Sequence, residues 1–157
     1  MDKIKTTEGD LIIRDARFAI IAARFNDFIV DSLIKASVRC LNQHGAADAD
    51  IEIIRVPGAM ELPVVVDKIA AGRRFDGIIA LGAVIRGGTP HFDYVAGECV
   101  RGIAAAGPRH GVPVGFGVLT VDTIEQAIER AGTKAGNKGE EATMAVIEMV
   151  NLLRSVD

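Results

Sequence analysis

Aromatic residues and cysteines are scarce in this chain of 157 residues. It has six Phe, one Tyr and no Trp, and its two cysteines, Cys40 and Cys99, form no Cys-x-x-Cys pair. A disulfide scaffold or a thiolate metal site is therefore not predicted. A chain of this length buries about 68–70% of its unfolded surface without such links. Two isolated thiols favour a reducing, cytoplasmic location.

Long hydrophobic runs and excess basic charge are missing as well. The uncharged apolar run Gly77–Ile85 has nine residues, whereas a membrane span needs about 20. The charged segment Met1–Lys5 is followed by no apolar signal core. Lys and Arg number 18 against 21 Asp and Glu, a net charge of −3, whereas nucleic-acid binders usually carry a basic face. We expect neither a membrane nor a nucleic-acid partner.

Glycine and alternating apolar segments are what the sequence has in abundance. Its 17 glycines are about 11% of the chain, above the usual ~7%. Short apolar runs alternate with segments of helical periodicity, which predicts one domain over residues 1–157. The predicted strands are Arg17–Ala23, Ile51–Val56, Gly77–Ile85 and Val112–Leu119. Four predicted helices run from Asp27 to the residue before Gly45 and over Met60–Ala71, Asp93–Ala106 and Glu140–Leu153. A fifth runs from the capping box Asp122-x-x-Glu125 to Ala131.

This order predicts an α/β fold of the flavodoxin-like type. Three layers, α/β/α, enclose a central parallel four-stranded sheet with right-handed crossovers. The apolar run Leu11–Ile13 adds a short N-terminal edge strand.

Ligands of such sheets bind beyond the carboxyl ends of the strands, and the residues there suggest separate roles. Phe25 can stack on a flat heterocycle and Asn26 can hydrogen-bond its edge. Glu61 can accept from ligand hydroxyls, or be only a favourable carboxylate at a helix N-terminus. Gly87–Thr89 can cradle a phosphate, or be a plain turn. His91 is a candidate proton shuttle, with a surface histidine as the alternative.

The glycine-rich segment 132–139 is not a P-loop, because Asn137 stands at a motif position and the segment follows a helix. We interpret it as a flexible cationic connection. Arg130, Lys134 and Lys138 cluster there, which fits either an anionic ligand or a solvated basic helix end.

Five strings together resemble the 6,7-dimethyl-8-ribityllumazine synthase family of riboflavin biosynthesis. They cover nearly the whole predicted fold in the order and spacing of the family. The strings are ARFND (23–27), VPGAMELP (56–63), LGAVIRGGTPHFDYV (81–95), VPVGFGVLT (112–120) and IEQAIERAGTKAGNKG (124–139).

The resemblance implies a transferase reaction between two small molecules, with no metal or organic cofactor. 5-Amino-6-(D-ribitylamino)uracil condenses with 3,4-dihydroxy-2-butanone 4-phosphate, releasing phosphate and water. Catalysis is then expected of His91, Arg130 and Lys138. The implied substrate-binding residues are Phe25, Asn26, Ala59, Met60, Glu61, Val84, Ile85, Gly88, Thr89, Phe116 and Arg130.

The same resemblance implies an assembly. The family forms homopentamers, and some members close twelve pentamers into a 60-subunit icosahedral shell. Phe116, Arg130 and Lys138 are then expected to reach the site of a neighbouring subunit. The short 132–139 connection resembles the shell-forming members.

Two departures from the family pattern and two other functions remain open at this point. Met60 stands where the family usually has an aromatic residue, which predicts a looser ribityl pocket. Pro90, where Thr or Ser is common, stiffens the loop before His91.

The alternatives are a non-catalytic flavin- or lumazine-binding module and a shell or carrier protein on the same fold.

Overall fold

A parallel four-stranded sheet forms the centre of the molecule. The computed structural model describes residues 2–156. Its strands are β1 (Phe18–Ala23), β2 (Ile51–Val56), β3 (Gly77–Ile85) and β4 (Val114–Val121). They are ordered β2-β1-β3-β4, so that β2 and β4 are the edges. The predicted parallel sheet is confirmed, with β4 beginning and ending two residues later than expected.

Helices cover both faces of the sheet, as the three-layer prediction requires. They are α1 (Asp27–Gln43), α2 (Leu62–Gly72), α3 (His91–His110), α4 (Ile124–Glu129) and α5 (Lys138–Ser155). One apolar core joins α1, α4 and α5 to the sheet, and a second joins α2 and α3 to its other face. β1 is buried at every residue, as expected of a strand covered on both faces.

The segment Leu11–Ile13, predicted as an edge strand, is irregular in the structure. It lies against α1 and α5 instead of beside the sheet. The backbone N–H of Ile13 donates to His44 O (2.8 Å), and Asn151 Nδ2 donates to Ile12 O (3.0 Å). A carbonyl at a helix end and an amide side chain thus satisfy the backbone groups that strand pairing would otherwise have satisfied.

Helix α3 begins at His91, two residues before the predicted start. Pro90 precedes it at φ −70°, a value that proline supplies without cost, and its carbonyl accepts from the N–H of Asp93 (3.1 Å). His91 therefore lies in the first turn of a helix and not in a loop. The helix ends before Gly111, which adopts φ +67°.

The chain between β4 and α5 also differs from the prediction. Thr123, not Asp122, caps α4, because its Oγ1 accepts from the N–H of Gln126 (3.1 Å). The predicted flexible connection contains a short antiparallel hairpin of β5 (Ala131–Thr133) and β6 (Gly136–Asn137). Helix α5 then starts at Lys138, two residues earlier than expected.

Within residues 2–156, no helix is both long enough and apolar enough to cross a bilayer.

Candidate functional site

The carboxyl end of β1 presents Phe25 to solvent. The N–H of Arg24 donates to Val56 O (2.8 Å) and that of Phe25 to Pro57 O (3.0 Å), which extends the pairing of β1 and β2 beyond the strands. The backbone is therefore fixed while the ring remains 72% exposed. This ring is available for stacking on a planar ligand.

Asn26 holds the turn between β1 and α1. It adopts a left-handed conformation (φ 63°), which asparagine tolerates better than most residues. Its Nδ2 donates to Ala83 O on β3 (2.9 Å), and its carbonyl accepts from the N–H groups of Ile29 and Val30. Asn26 therefore joins two strand ends, a structural task in addition to the ligand contact predicted for it.

Ala59, Met60 and Glu61 form one turn of 3₁₀ helix before α2. Ala59 is buried, Met60 is half-exposed and Glu61 is half-buried. The N–H of Glu61 donates to Gly58 O (3.2 Å), which sets the turn. The carboxylate thus lies at the N-terminus of α2, close to the same sheet edge as Phe25.

The end of β3 leads into an exposed loop. Val84 is buried and Ile85 partly buried, whereas Gly87–Pro90 are exposed. The backbone N–H groups of Gly87, Gly88 and Thr89 donate to no acceptor among residues 2–156. Free N–H groups in a loop that enters a helix suit an anion. The exposed His91 follows directly.

Phe116, Arg130 and Lys138 share a different surface, which we call the cationic cleft after its two basic residues; the carboxylates of Asp122 and Glu141 line it too. It has a volume of about 530 Å³ and is lined by Phe116, Val118, Leu119, Thr120, Val121, Asp122, Gln126, Arg130, Ala135, Lys138 and Glu141. Arg130 Nη1 donates to Gln126 O (3.2 Å), and the N–H of Lys138 donates to Arg130 O (2.9 Å). The hairpin thus brings two cations to one wall of the cleft.

The structure therefore divides the predicted site residues into two groups. Ten of them lie at the last residues of β3 or in the segments that follow β1, β2 and β3. We call these the carboxyl-edge group: Phe25, Asn26, Ala59, Met60, Glu61, Val84, Ile85, Gly88, Thr89 and His91. None of the ten lines the cationic cleft. Phe116 is the third residue of β4, paired with Ala80, and not at the end of the strand as the sequence suggested.

Glu141 is a cleft residue that the sequence did not single out. Its Oε2 lies 3.9 Å from Lys138 Nζ, an i,i+3 pair in the first turn of α5. This spacing is visible in the sequence only if α5 starts at Lys138. The predicted start at Glu140 left Lys138 outside the helix.

Two other kinds of chemistry find no support in the described chain. Burial raises the pKa of Cys40 and of Cys99 to about 11, so neither is a thiolate nucleophile near neutral pH. Among residues 2–156, no three His, Cys, Asp or Glu side chains gather as the ligands of a metal ion.

The fold and the two groups are typical of one class, the α/β enzymes whose small-molecule site lies at the carboxyl edge of a parallel sheet. A sequence profile for 6,7-dimethyl-8-ribityllumazine synthase matches residues 15–154. The chain belongs to this family, and it is accordingly a transferase of riboflavin biosynthesis.

Two relatives illustrate how close the match is. The 6,7-dimethyl-8-ribityllumazine synthase of Halorhodospira halophila is 57% identical over 155 residues, 98% of this chain and 99% of its own. The protein of the same name from Nitratidesulfovibrio vulgaris is 58% identical over 153 residues, 98% of each chain. The predicted family is confirmed, and the comparisons lend no support to a non-catalytic role.

Proposed function

We propose that this chain, as a single lumazine synthase domain, forms 6,7-dimethyl-8-ribityllumazine from 5-amino-6-(D-ribitylamino)uracil and 3,4-dihydroxy-2-butanone 4-phosphate. Phosphate and water are released. The observation that carries the proposal is the carboxyl-edge group itself. An exposed ring, a carboxylate beside a helix N-terminus and three free loop N–H groups stand together at one sheet edge. A flat heterocycle with a polyol chain and a phosphate ester needs these contacts.

The uracil ring stacks on Phe25, with Asn26 at its edge. The last backbone groups of β3, at Val84 and Ile85, face the ring system. The ribityl chain lies along Ala59 and Met60, with hydroxyls donating to Glu61. Holding both substrates in one place supplies a large part of the rate increase, since it removes the entropy cost of their encounter.

Proton transfer and phosphate loss use different residues. The amine of one substrate attacks the ketone of the other, and His91 moves the protons needed to form the imine. Gly88 and Thr89 bind the phosphate through the loop, and Arg130 neutralises the charge that develops as phosphate leaves. Lys138 adds a second positive charge nearby.

We propose that Phe116, Arg130 and Lys138 serve the carboxyl-edge group of a neighbouring subunit in a homopentamer. Their separate cleft supports this, and so does the apolar groove beside it. We use this name for the surface of about 570 Å³ that includes Val100, Pro108, Phe116, Met149 and Leu153. It lies beside the edge strand β4, and an unpaired edge with an apolar surface is commonly covered by another chain.

A head-to-tail contact of this kind generates a closed ring when the rotation between neighbouring subunits closes. The compact β5–β6 hairpin, without inserted residues, supports closure of twelve such rings into a 60-subunit shell. The two buried thiols support a cytoplasmic location.

The first test is a steady-state assay of the purified protein with both substrates, following 6,7-dimethyl-8-ribityllumazine by absorbance. Turnover is expected, and the absence of product would overturn the proposed reaction.

The second test is complementation between two inactive variants. Co-expressed Phe25→Ala and Arg130→Ala chains assemble at random into mixed rings. If each site uses Phe25 from one chain and Arg130 from the next, about a quarter of the sites contain both native residues. We expect that fraction of wild-type activity from the mixture. The two variants purified separately and assayed together without exchange are the control.

No recovery in verified mixed rings would show that one chain supplies both residues, and would overturn the shared site.

A further inference from the structure

We propose that Arg86 is a positioning residue for the phosphate-binding loop, because its side chain ties both ends of that loop to the β4–α4 turn. The inference rests on the proposed function and adds to it a residue that does not touch substrate. Arg86 is the first residue after β3, and Gly87–Pro90 separate it from His91.

Three contacts hold Arg86 in place. Its backbone N–H donates to Val121 O (2.8 Å), which continues the pairing of β3 and β4. Its Nε donates to Asp122 Oδ1 (2.8 Å), just beyond β4. Its Nη2 lies 3.5 Å from Asp93 Oδ1, in the first turn of α3. The backbone and the side chain of Arg86 together thus link the ends of two strands to the start of the helix that carries His91.

The guanidinium plane adds a fourth contact. It lies over the ring of Phe92, with Cζ 4.4 Å from the ring centroid. Phe92 packs against the core that joins α2 and α3 to the sheet. A planar guanidinium can stack on a ring while its edge donates hydrogen bonds in a fixed fork, whereas the compact ammonium of lysine has neither the plane nor the fork.

The charge of Arg86 is already compensated within the chain. The hydrogen bond that Arg86 donates to Asp122 and the charges of Asp93 and Asp122 raise the pKa of Arg86 above its ordinary value. Two carboxylates face this guanidinium, whereas the side chain of Arg130 donates a hydrogen bond to a backbone carbonyl. Arg86 is therefore suited to hold the loop, and Arg130 to meet the phosphate.

The loop between Arg86 and α3 has few other restraints. A Cβ added to Gly87 or Gly88 would meet no atom within 4 Å. The side chains of residues 87–91 form no hydrogen bond or ion pair with the rest of residues 2–156. The orientation of the free loop N–H groups thus depends on the anchors at each end. Arg86 contributes to both of them, through Val121 and Asp122 on one side and Phe92 and Asp93 on the other.

The test compares Arg86→Ala, Arg86→Lys and wild type by titration with inorganic phosphate and by steady-state kinetics. We expect Arg86→Ala to weaken phosphate binding, and to raise the KM for the butanone phosphate, by about tenfold. The KM for the ribitylaminouracil should change less than about twofold, because Phe25 and Glu61 are held by other contacts. Arg86→Lys should restore only part of the loss.

Arg101→Ala is the matched control. Arg101 also belongs to α3, and its ion pair with Glu98 (3.1 Å) stays within that helix. This variant should match wild type in both KM values. Adding Asp122→Asn to Arg86→Ala should cause little further loss, since both changes remove one contact.

A merely structural role gives a different pattern. If both KM values stay at the wild-type level and activity falls only with the folded fraction measured by thermal unfolding, the positioning role is overturned. An equal rise in both KM values overturns it as well. The phosphate titration tests the positioning role of Arg86 even if the wild-type protein forms no lumazine. That outcome would overturn the proposed function alone.

Discussion

At the scale of single residues, the chain fixes its candidate catalytic groups to different degrees. Arg130 Nη1 is held by Gln126 O, and the backbone of Arg130 pairs with that of Lys138. The ring of His91 is exposed at the start of α3 and has no hydrogen-bond partner among the described residues. Both residues are exposed, but Arg130 carries a permanent charge and one hydrogen bond to its own helix, whereas His91 is a proton carrier. The two should respond differently to removal.

We predict that Arg130→Ala lowers kcat far more than His91→Ala does. Loss of a fixed charge at the leaving phosphate should cost about 10²–10³-fold. Loss of His91 should cost about tenfold to a hundredfold, since buffer and water can carry part of the proton transfer. Lys134→Ala is the control, because Lys134 lies in the hairpin turn and does not line the cationic cleft. Equal losses in steady-state kinetics would contradict this division of roles.

The sequence predicted which residue types lie at the site better than it predicted their positions within strands and helices. Phe25, Glu61 and His91 were expected at strand ends, and they lie there because a strand, a turn and a helix follow one another locally. The place of Phe116 within β4 was not predictable from spacing, since the register of β3 and β4 sets it. Glu141 was missed because an N-cap two residues earlier than expected decides its helical position.

At the scale of elements, the packing of α2 against α3 depends on one glycine. A Cβ on Gly102 of α3 would lie 2.5 Å from Pro63 Cβ on α2. Such a contact is far inside van der Waals distance, so the two helices would have to separate. Gly97 lies earlier in the same helix, and a Cβ added there would have no atom within 4 Å.

These two glycines form a matched pair of substitutions. Gly102→Ala should lower the free energy of unfolding by about 1–3 kcal/mol through overpacking. Gly97→Ala should raise it by up to about 1 kcal/mol, because alanine favours helix and nothing obstructs it. Urea denaturation of both variants measures the difference. The interpretation fails if Gly102→Ala is as stable as Gly97→Ala.

The helix ends show why element boundaries were the weakest part of the sequence-based prediction. Asn137 caps α5, with Oδ1 accepting from the N–H groups of Gly139 (2.8 Å) and Glu140 (3.2 Å). Its Nδ2 also donates to Ser32 O on α1 (3.3 Å). Several polar residues near Lys138 could act as a cap, and the contact with α1 selects one of them.

At the scale of the whole molecule, the apolar groove beside β4 is the surface that a neighbouring subunit should cover. Met149 and Leu153 on α5 are 40% and 46% exposed there. Apolar side chains of this size on an open edge are typical of an interface.

Native mass spectrometry should give about 83 kDa for a pentamer, or about 1 MDa for sixty chains, of 16.6 kDa each. Met149→Glu should reduce the mass toward that of one chain and abolish activity, because Arg130 and Phe116 then lose the site they serve. Glu148→Lys changes charge at the adjacent position, which does not line the groove, and should keep both mass and activity. A fully active Met149→Glu monomer would overturn the proposed assembly.

The sequence by itself determined the layered α/β architecture, the family and the set of candidate residues. The apolar pattern of a buried strand or an amphipathic helix is visible within one short segment of sequence. Each of the five family strings is likewise a local feature of the sequence. Only the tertiary structure decided that Leu11–Ile13 leaves the sheet, that α3 begins at His91, and that Arg86 joins β3, β4 and α3. Those outcomes depend on which backbone groups and charges find partners across long stretches of chain. No local pattern records that choice.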